Sequence, residues 1–573
     1  MEHAKRVGLI RAARGDTVVD LVLHGARVLN VFSGELLDAP VAIDGGYVVG
    51  FEERESRARE SCAGGVLVPG LIDAHVHIES SMVTVPRFAE AVVPRGTTSV
   101  VTDAHELANV LGCAGIEYVL LSPNGIPLDV FLMLPSCVPA TPLETAGAEL
   151  NPDDLAPYLG HPRVLGLGEV MDEPGVLHGD RFVLEKIEQA EDHRVDGHAV
   201  GLRGRDLAGY VAAGIHSDHE ATTLEEGLER LRLGMHVMIR EGTAAKNLDA
   251  LLALCRGPGA ERCMFCTDDR HPHDLLERGG IDDLVRRAIQ AGLDPVTAVR
   301  LATLYPAGYF GLRRLGAIGP GRQADLVLVD DLADFRVRKV WKRGVPVAEE
   351  GRPLHDWGSA GIEPPPSTFR IRWGGAASLA VPAVEGALRV IDIVPDQLVT
   401  RELRLSPRVS DGRAVADVER DLLKLACVER HRATGNVGVG FVRGFGLERG
   451  ALASSVAHDS HNVVVVGTND ADMVAAVEAI GEAGGGLAVV EAGACRALLP
   501  LPVAGLLSTA PLSEVAAGMH ELGIAAAKLG CALRDPFMTL SFLALPVIPE
   551  LKLTDRGLVD VRAAEVVPLF APS

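Results

Sequence analysis

The chain is short of positive charge, of long apolar runs and of cysteine, and each shortage excludes something. Lys and Arg number 55 against 77 Asp and Glu, a formal net charge of −22. That argues against a nucleic-acid backbone or an anionic membrane as the main partner. No uninterrupted apolar run reaches the roughly 18 residues that a spanning helix needs. The opening stretch "MEHAKRVGLIRAARGDTVVD" lacks the apolar centre of a signal peptide, so a cytoplasmic protein is expected. Nine cysteines are scattered along the chain, and only Cys263 and Cys266, in "CMFC", have metal-type spacing. An odd count argues against a secreted disulfide framework. With no second pair, and in an apolar strand-like run, CMFC reads as core. The H-x-E…P-C-x-x-C pattern of the cytidine-deaminase type of zinc site is also missing.

What is present is a long chain with an ordinary apolar content: 573 residues, 47% hydrophobic and 23% charged. That length suggests about two to four domains. Residues 17–65 and 315–348 share a texture of short β-rich pieces and turns. Between them, eight strand-like runs end in polar residues and are followed by helical stretches: 70–77, 97–106, 129–137, 164–171, 194–200, 213–220, 235–242 and 263–271. Residues 224–234 and 280–293 carry helical periodicity. Eight such units in about 250 residues predict an α/β chain built on a TIM (β/α)8 barrel, with a doubly wound open sheet as the alternative. The division read from this pattern has four parts. Residues 1–65 and 315–350 form a small β-sandwich from both barrel flanks, and 66–314 form the barrel. Residues 351–368 are a Pro-, Gly- and Ser-rich linker, and 369–573 form a C-terminal α+β domain.

The chemistry collects at the strand ends. Side chains two apart on a strand share a face, so His75 and His77 of "GLIDAHVH" point the same way from the end of the first barrel strand. That is the end where TIM barrels place their chemistry. The fourth strand offers Glu169, the fifth His198, the sixth His219 and the eighth Asp268. Four imidazoles and two carboxylates can hold two divalent metals, with Glu169 bridging. Glu79, Asp103, His105, Arg240, Glu241 and Asp269 stand at or just past strand ends and are candidates for binding a substrate or supporting the metal ligands.

HxH on strand one, a carboxylate on four, His on five and six and Asp on eight resembles the amidohydrolase superfamily. Many of its members carry a carbamylated Lys on strand four, where this chain has Glu169. Longer stretches are similar to the bacterial adenine deaminase family: "PGLIDAHVHIESSMVT", "TDAHELANVLG", "GLGEVMD", "SDHEATTLEEGLERLRLGMHVMIREGTAAKN", "FCTDDRHPHDLL" and, near the C-terminus, "HDSHNVVVVGTNDADM" and "DPFMTLSFLALPVIPELKLTDRGLVDV". The chain departs from that family's pattern at Ala104 and Val200, where Pro is usual, and at Glu173, where an apolar or aromatic residue is usual.

The resemblance implies hydrolytic deamination of adenine to hypoxanthine and ammonia in purine salvage. It favours Mn, although Fe and Zn suit the same ligands. The expected nucleophile is a hydroxide between two metals, which lower the pKa of water from 15.7 towards about 7. Asp268 would move its proton, Glu169 would bridge and share the proton traffic, and His219 would bind metal or polarise the reacting centre. The expected partners are a small-molecule substrate and a second copy of the chain in a homodimer. Two alternatives stand beside this reading. One is a superfamily hydrolase of a related aminopurine or cyclic amide, and the other is a non-catalytic binding protein.

Overall fold

A computed structural model describes residues 3–358, 362–395 and 397–571. Eight parallel strands occupy the eight predicted places: Leu71–His77, Thr97–Asp103, Asp129–Leu134, Val164–Val170, Arg194–Gly197, Ser217–Asp218, His236–Arg240, and Cys263–Cys266 continued by Asp268–Asp269. Strands one to five pair in chain order, as do six to eight, and Asp268–Asp269 pairs back onto Val76 and His77 of the first strand. The junction between the fifth and sixth strands is made by the His216 N–H donating to the Val195 carbonyl at 2.8 Å. The ring of strands therefore closes. Every residue of the first and second strands is buried, so their polar members, Asp73, His75 and His77 in the first and Thr97, Thr98, Ser99, Thr102 and Asp103 in the second, are enclosed rather than turned to solvent.

The helices between strands are short, and several are capped. Leu224–Arg232 begins at a capping box in which Thr223 and Glu226 exchange side-chain and backbone hydrogen bonds, a reciprocal arrangement that satisfies two otherwise orphaned N–H groups. The periodicity over 280–293 becomes Ile281–Gln290. Cys263 and Cys266 are wholly buried in the eighth strand. Three residues apart on a strand, they face opposite sides, so they cannot grip one ion together.

The two flanks come together. Val66–Pro69 pairs with Leu326–Val329, which continues through Val337–Lys342 to Val345–Glu349. A four-stranded sheet of Tyr47–Gly50, Val41–Asp44, Val19–His24 and Ser56–Ser61 lies alongside. Leu21, Leu23, Ile43, Leu67, Leu326 and Trp341 form a common core. The flank sheet thus extends to Pro69, beyond the boundary at 65 read from sequence. Gly70 alone separates it from the first barrel strand. A Cβ on Gly70 would lie 2.2 Å from the Thr98 hydroxyl, so no larger residue fits this corner. Of the stretch read as a linker, residues 359–361 lie outside the described residues, and Arg352–Pro353 adds to the flank sheet.

Beyond it, Ala387–Ile393, Leu422–Val428, Val437–Arg443, Ala451–Ser454, Val463–Gly467, Gly486–Glu491 and Ala494–Pro500 belong to a nine-stranded sheet that packs against Asp470–Glu482 and Leu512–Lys528. Among the described residues no helix is long and apolar enough to cross a membrane.

One buried amine ties this region together. Lys552, fully buried, donates to the carbonyls of Leu398 and Phe542, both at 2.9 Å. Burial lowers its pKa from 10.5 to about 7. The folded amine therefore loses its proton near pH 7, while the unfolded one keeps it to about 10.5. Between those values the unfolded chain binds more protons, so stability rises with pH and is lost as pH falls. Relative to a Lys552→Met variant, the wild type is expected to gain about 1.4 kcal/mol per pH unit between pH 7 and 9. Urea midpoints at the two pH values check this, and equal slopes for both proteins would contradict it.

Candidate metal centre and active site

The strand ends deliver six of the expected residues into one buried cluster. Glu169 stands at its centre. Its Oε1 lies 2.8 Å from His77 Nε2 and 3.5 Å from His75 Nε2, and its Oε2 lies 2.8 Å from His198 Nδ1 and 3.3 Å from His219 Nε2. Asp268 Oδ1 lies 3.3 Å from His75 Nε2 and 3.2 Å from His77 Nε2. The His75 and His219 rings stack with centroids 4.4 Å apart. His75, His77, Glu169, His219 and Asp268 are all at most 4% exposed, and only His198 reaches solvent with part of its ring.

Two observations show that this donor set fits a divalent cation. His75 Nε2 and Glu169 Oε1 are buried and make no contact of good hydrogen-bond geometry, although ring nitrogens and carboxylate oxygens crowd within 2.8–3.5 Å of them, a costly state unless something else occupies them. The charges also call for a cation. Burial opposes ionisation of Glu169, yet His77 and His219 hold its carboxyl well below the usual range. His198 is in turn driven up to about 9 by Glu220 and Glu169 against its burial. In this cluster, protons on imidazole stand where a metal ion would sit, and binding a metal would release them.

A second layer of side chains aims the ligands. Asp103 accepts the backbone N–H groups of His105 at 3.1 Å and Glu169 at 3.1 Å, and its own carbonyl is 3.0 Å from His77 Nδ1. Gly168 permits this, since a Cβ there would stand 1.9 Å from Asp103 Oδ2. Gly168→Ala is therefore expected to push Asp103 off the Glu169 N–H, with a loss of roughly 10- to 100-fold in metal affinity or activity. Metal titration of the variant at unchanged melting temperature measures it. Arg240 donates to Asp268 Oδ2 at 2.8 Å and to Glu220 at 2.5 and 2.8 Å. Glu241 accepts from the Leu248 N–H and from Arg287. Asp269 accepts from the Ser80 hydroxyl. Asp103 and Glu241, predicted as substrate contacts or supports, thus have their carboxylates bonded to protein, while Arg240, predicted likewise, spends both terminal nitrogens on Asp268 and Glu220 and keeps Nε buried and unpartnered. Glu79 keeps Oε1 on the Leu107 N–H at 3.3 Å and leaves Oε2 buried and unpartnered. His105 Nδ1, 3.6 Å from Glu169 Oε1, is also unpartnered.

Several structural partners carried no local signal. Asp73 accepts the N–H and hydroxyl of Thr267 at 3.1 and 2.5 Å and so locks the first strand to the eighth. Wholly buried Arg230 pairs with Asp218 and donates to the Ala199 carbonyl at 2.6 Å, while Asp218 accepts the Ala199 N–H at 2.8 Å. Together they shape the turn that carries His198. Two of the three departures from the family pattern meet: the Val200 N–H donates to Glu173 Oε1 at 2.7 Å. A proline at 200 has no N–H to give, so the carboxylate and the non-proline residue belong together.

The C-terminal region closes over the site. His458 Nδ1 lies 2.5 Å from Glu106 Oε1, and His461 Nε2 contacts Glu106 Oε2. These three residues have metal-type composition. However, His461 Nδ1 accepts the Ala457 N–H at 3.1 Å, so the neutral ring carries its proton on Nε2 and donates it to Glu106. The group is a hydrogen-bonded clasp between the two regions.

Residues 66–347 match the amidohydrolase family, and residues 397–565 match the adenine deaminase C-terminal domain. An adenine deaminase of Desulfatibacillum aliphaticivorans is 51% identical over 568 residues, 98% of this chain and 99% of the relative. One from Nitratidesulfovibrio vulgaris strain Hildenborough is 52% identical over 560 residues, 97% of each. Among solved structures, a β-aspartyl dipeptidase of Fervidobacterium islandicum aligns with 58% of this chain and 98% of its own at 18% identity and a TM-score of 0.45. Near 50% identity over almost the whole length, with both regions matched, the chain belongs to the adenine deaminase family.

Proposed function

We propose that the protein hydrolyses adenine to hypoxanthine and ammonia in cytoplasmic purine salvage. The observation that carries the reading is the convergence of His75, His77, Glu169, His198, His219 and Asp268 in one buried cluster, with His75 Nε2 and Glu169 Oε1 making no contact of good hydrogen-bond geometry. The choice of adenine is supported by the full-length likeness to proteins of that name.

These six residues would hold two divalent ions, with Glu169 bridging. Mn is favoured, and Fe and Zn are compatible with the same donors. The metals would supply Lewis acidity and lower the pKa of water to near neutrality. Asp268 then holds the proton given up by the water that adds to C6. Its partner Arg240 keeps the carboxyl well below the usual range against burial, so it begins as a base. It passes the proton to the exocyclic amine, the C6–N bond breaks, ammonia leaves, and the ring carbon keeps the new oxygen. Glu79 Oε2 and His105 Nδ1, buried and unpartnered, would be the atoms free to meet the purine edge. The near-complete burial of the site keeps bulk water from the reaction.

The division that fits this reading is the one read from the sequence with its flank boundaries moved outwards, to Pro69 before the barrel and to Pro353 before the linker, in a chain that acts as a homodimer. The test is ammonia release from adenine, compared with ring opening of hydantoin and dihydroorotate. Turnover of adenine alone supports the reading, and turnover of a cyclic amide without adenine would replace it.

A further inference from the structure

The site has an acidic residue that neither the barrel nor the metal cluster explains. Residues 457–462 of the C-terminal region lie across the barrel mouth, and nearly all their polar atoms are spent on protein. His458 and His461 hold Glu106. The Ser460 carbonyl is 2.6 Å from His431 Nε2. Asn462 Nδ2 donates to the Thr145 carbonyl at 2.8 Å, in the loop after the third barrel strand. Arg430 donates to the His461 carbonyl. The exception is Asp459. It is 3% exposed, and its Oδ2 has no hydrogen-bond partner.

Its surroundings place it beside the reaction centre. His458, bonded to Glu106, precedes Asp459 in the chain, and the charges of His105, Glu106, His458 and Glu169 act on Asp459, as does the buried carboxyl of Glu144. Glu106 is 3.5 Å from His105 Nε2, and His105 Nδ1 is in turn 3.6 Å from Glu169 Oε1. A buried carboxylate oxygen with no donor costs the full desolvation of that atom. Its neighbours are each fixed by a named bond, so the missing donor is not supplied by a side chain of this segment.

We propose that Asp459 is a substrate-recognition residue contributed by the C-terminal domain, accepting an imidazole-ring N–H of a free 6-aminopurine base. The inference rests on the adenine reading above. An unsubstituted purine offers two kinds of donor, the exocyclic amine and one ring N–H. The amine is on the carbon that reacts among the metal ligands, which leaves the ring N–H for a carboxylate on the opposite wall. A purine substituted on that nitrogen, such as a nucleoside, would present carbon there and strand the carboxylate. A site built around a hydrogen-bonded donor rejects the analogue that lacks it. The C-terminal domain would then both close the site and read the free base, through a residue pinned by the His458–Glu106–His461 clasp.

The test uses the full-length, metal-loaded protein with Asp459→Asn and Asp459→Ala. Melting temperature and metal content are read alongside kinetics on adenine, 7-methyladenine and 9-methyladenine. The expected result is wild-type metal content, kcat within a few-fold of wild type, and KM for adenine raised about 10-fold or more. The penalty for methylating the recognised ring nitrogen, large in the wild type, should shrink in Asp459→Ala, because substrate and protein changes remove the same bond. An unchanged KM in both variants, or an undiminished methyl penalty, would overturn the assignment. Loss of metal from both variants would also overturn it, by making Asp459 a ligand. If Asp459→Ala does not fold, the isosteric Asp459→Asn decides on KM. A wild type that releases no ammonia from adenine overturns the functional reading, and this proposal with it. Normal wild-type turnover with unaffected variants overturns the proposal alone.

Discussion

Asp268→Asn is expected to lower kcat on adenine by roughly 10^3- to 10^4-fold while the protein keeps its fold and most of its metal. The residue has a place that nothing else in the cluster fills. Its Oδ1 lies 3.3 and 3.2 Å from the Nε2 atoms of His75 and His77, and its Oδ2 is on Arg240 at 2.8 Å. Its backbone sits in the left-handed region at φ 54°, a conformation that aspartate tolerates better than most residues and that recurs at functional sites. Asparagine keeps the shape and an oxygen for the ring nitrogens. It cannot take a proton from water and return it to the leaving amine. Arg240 loses a charged partner but retains Glu220, so the fold is spared. Steady-state kinetics with melting and metal analysis on the same preparation check the outcome. Turnover within about tenfold of wild type would remove Asp268 from the proton path.

The second large effect is Glu169→Gln. One oxygen of Glu169 faces His75 and His77, and the other faces His198 and His219. Glutamine preserves the volume but replaces one oxygen with an N–H2 group, a donor that repels both metal ions and protonated rings. It also removes the negative charge that balances four imidazoles in a buried space. Metal content per chain is expected to fall below half of wild type, with activity lost in proportion or more. The melting temperature should become insensitive to chelator, whereas in the wild type chelator should lower it, because a ligand that binds only the folded state stabilises it by mass action. Elemental analysis and thermal scans with and without chelator measure this. A variant with full metal content would show that Glu169 is not a bridging ligand.

Much of this cluster is legible in the chain because its residues obey local rules. His75 and His77 follow from strand alternation, and Glu169, His198, His219 and Asp268 each stand at the polar end of a strand-like run. The strands are legible because each run is short, ends in polar residues and is followed by a helical stretch. Even the sixth, reduced to Ser217–Asp218, is marked by the polar cluster that follows it. What escaped notice acts across the fold. Asp73 finds Thr267 at a separation of 194 residues, and Glu106 finds His458 and His461 at 352 and 355. No local pattern announces such a pair, since its meaning depends on topology. Asp103, Arg240 and Glu241 stand at strand ends, the position that makes them candidates. Their partners proved to be backbone and side chains of the protein, because a buried strand end must satisfy its own N–H groups before it can offer atoms to a substrate.

The most direct measurement is ammonia release from adenine by the full-length protein, stripped of metal and then loaded separately with Mn, Fe or Zn. Six metal-type ligands in one buried cluster predict no turnover without metal and recovery on loading, saturating at two ions per chain and highest with Mn. Full activity in the stripped protein, or no activity towards adenine with any of the three metals, would contradict the account.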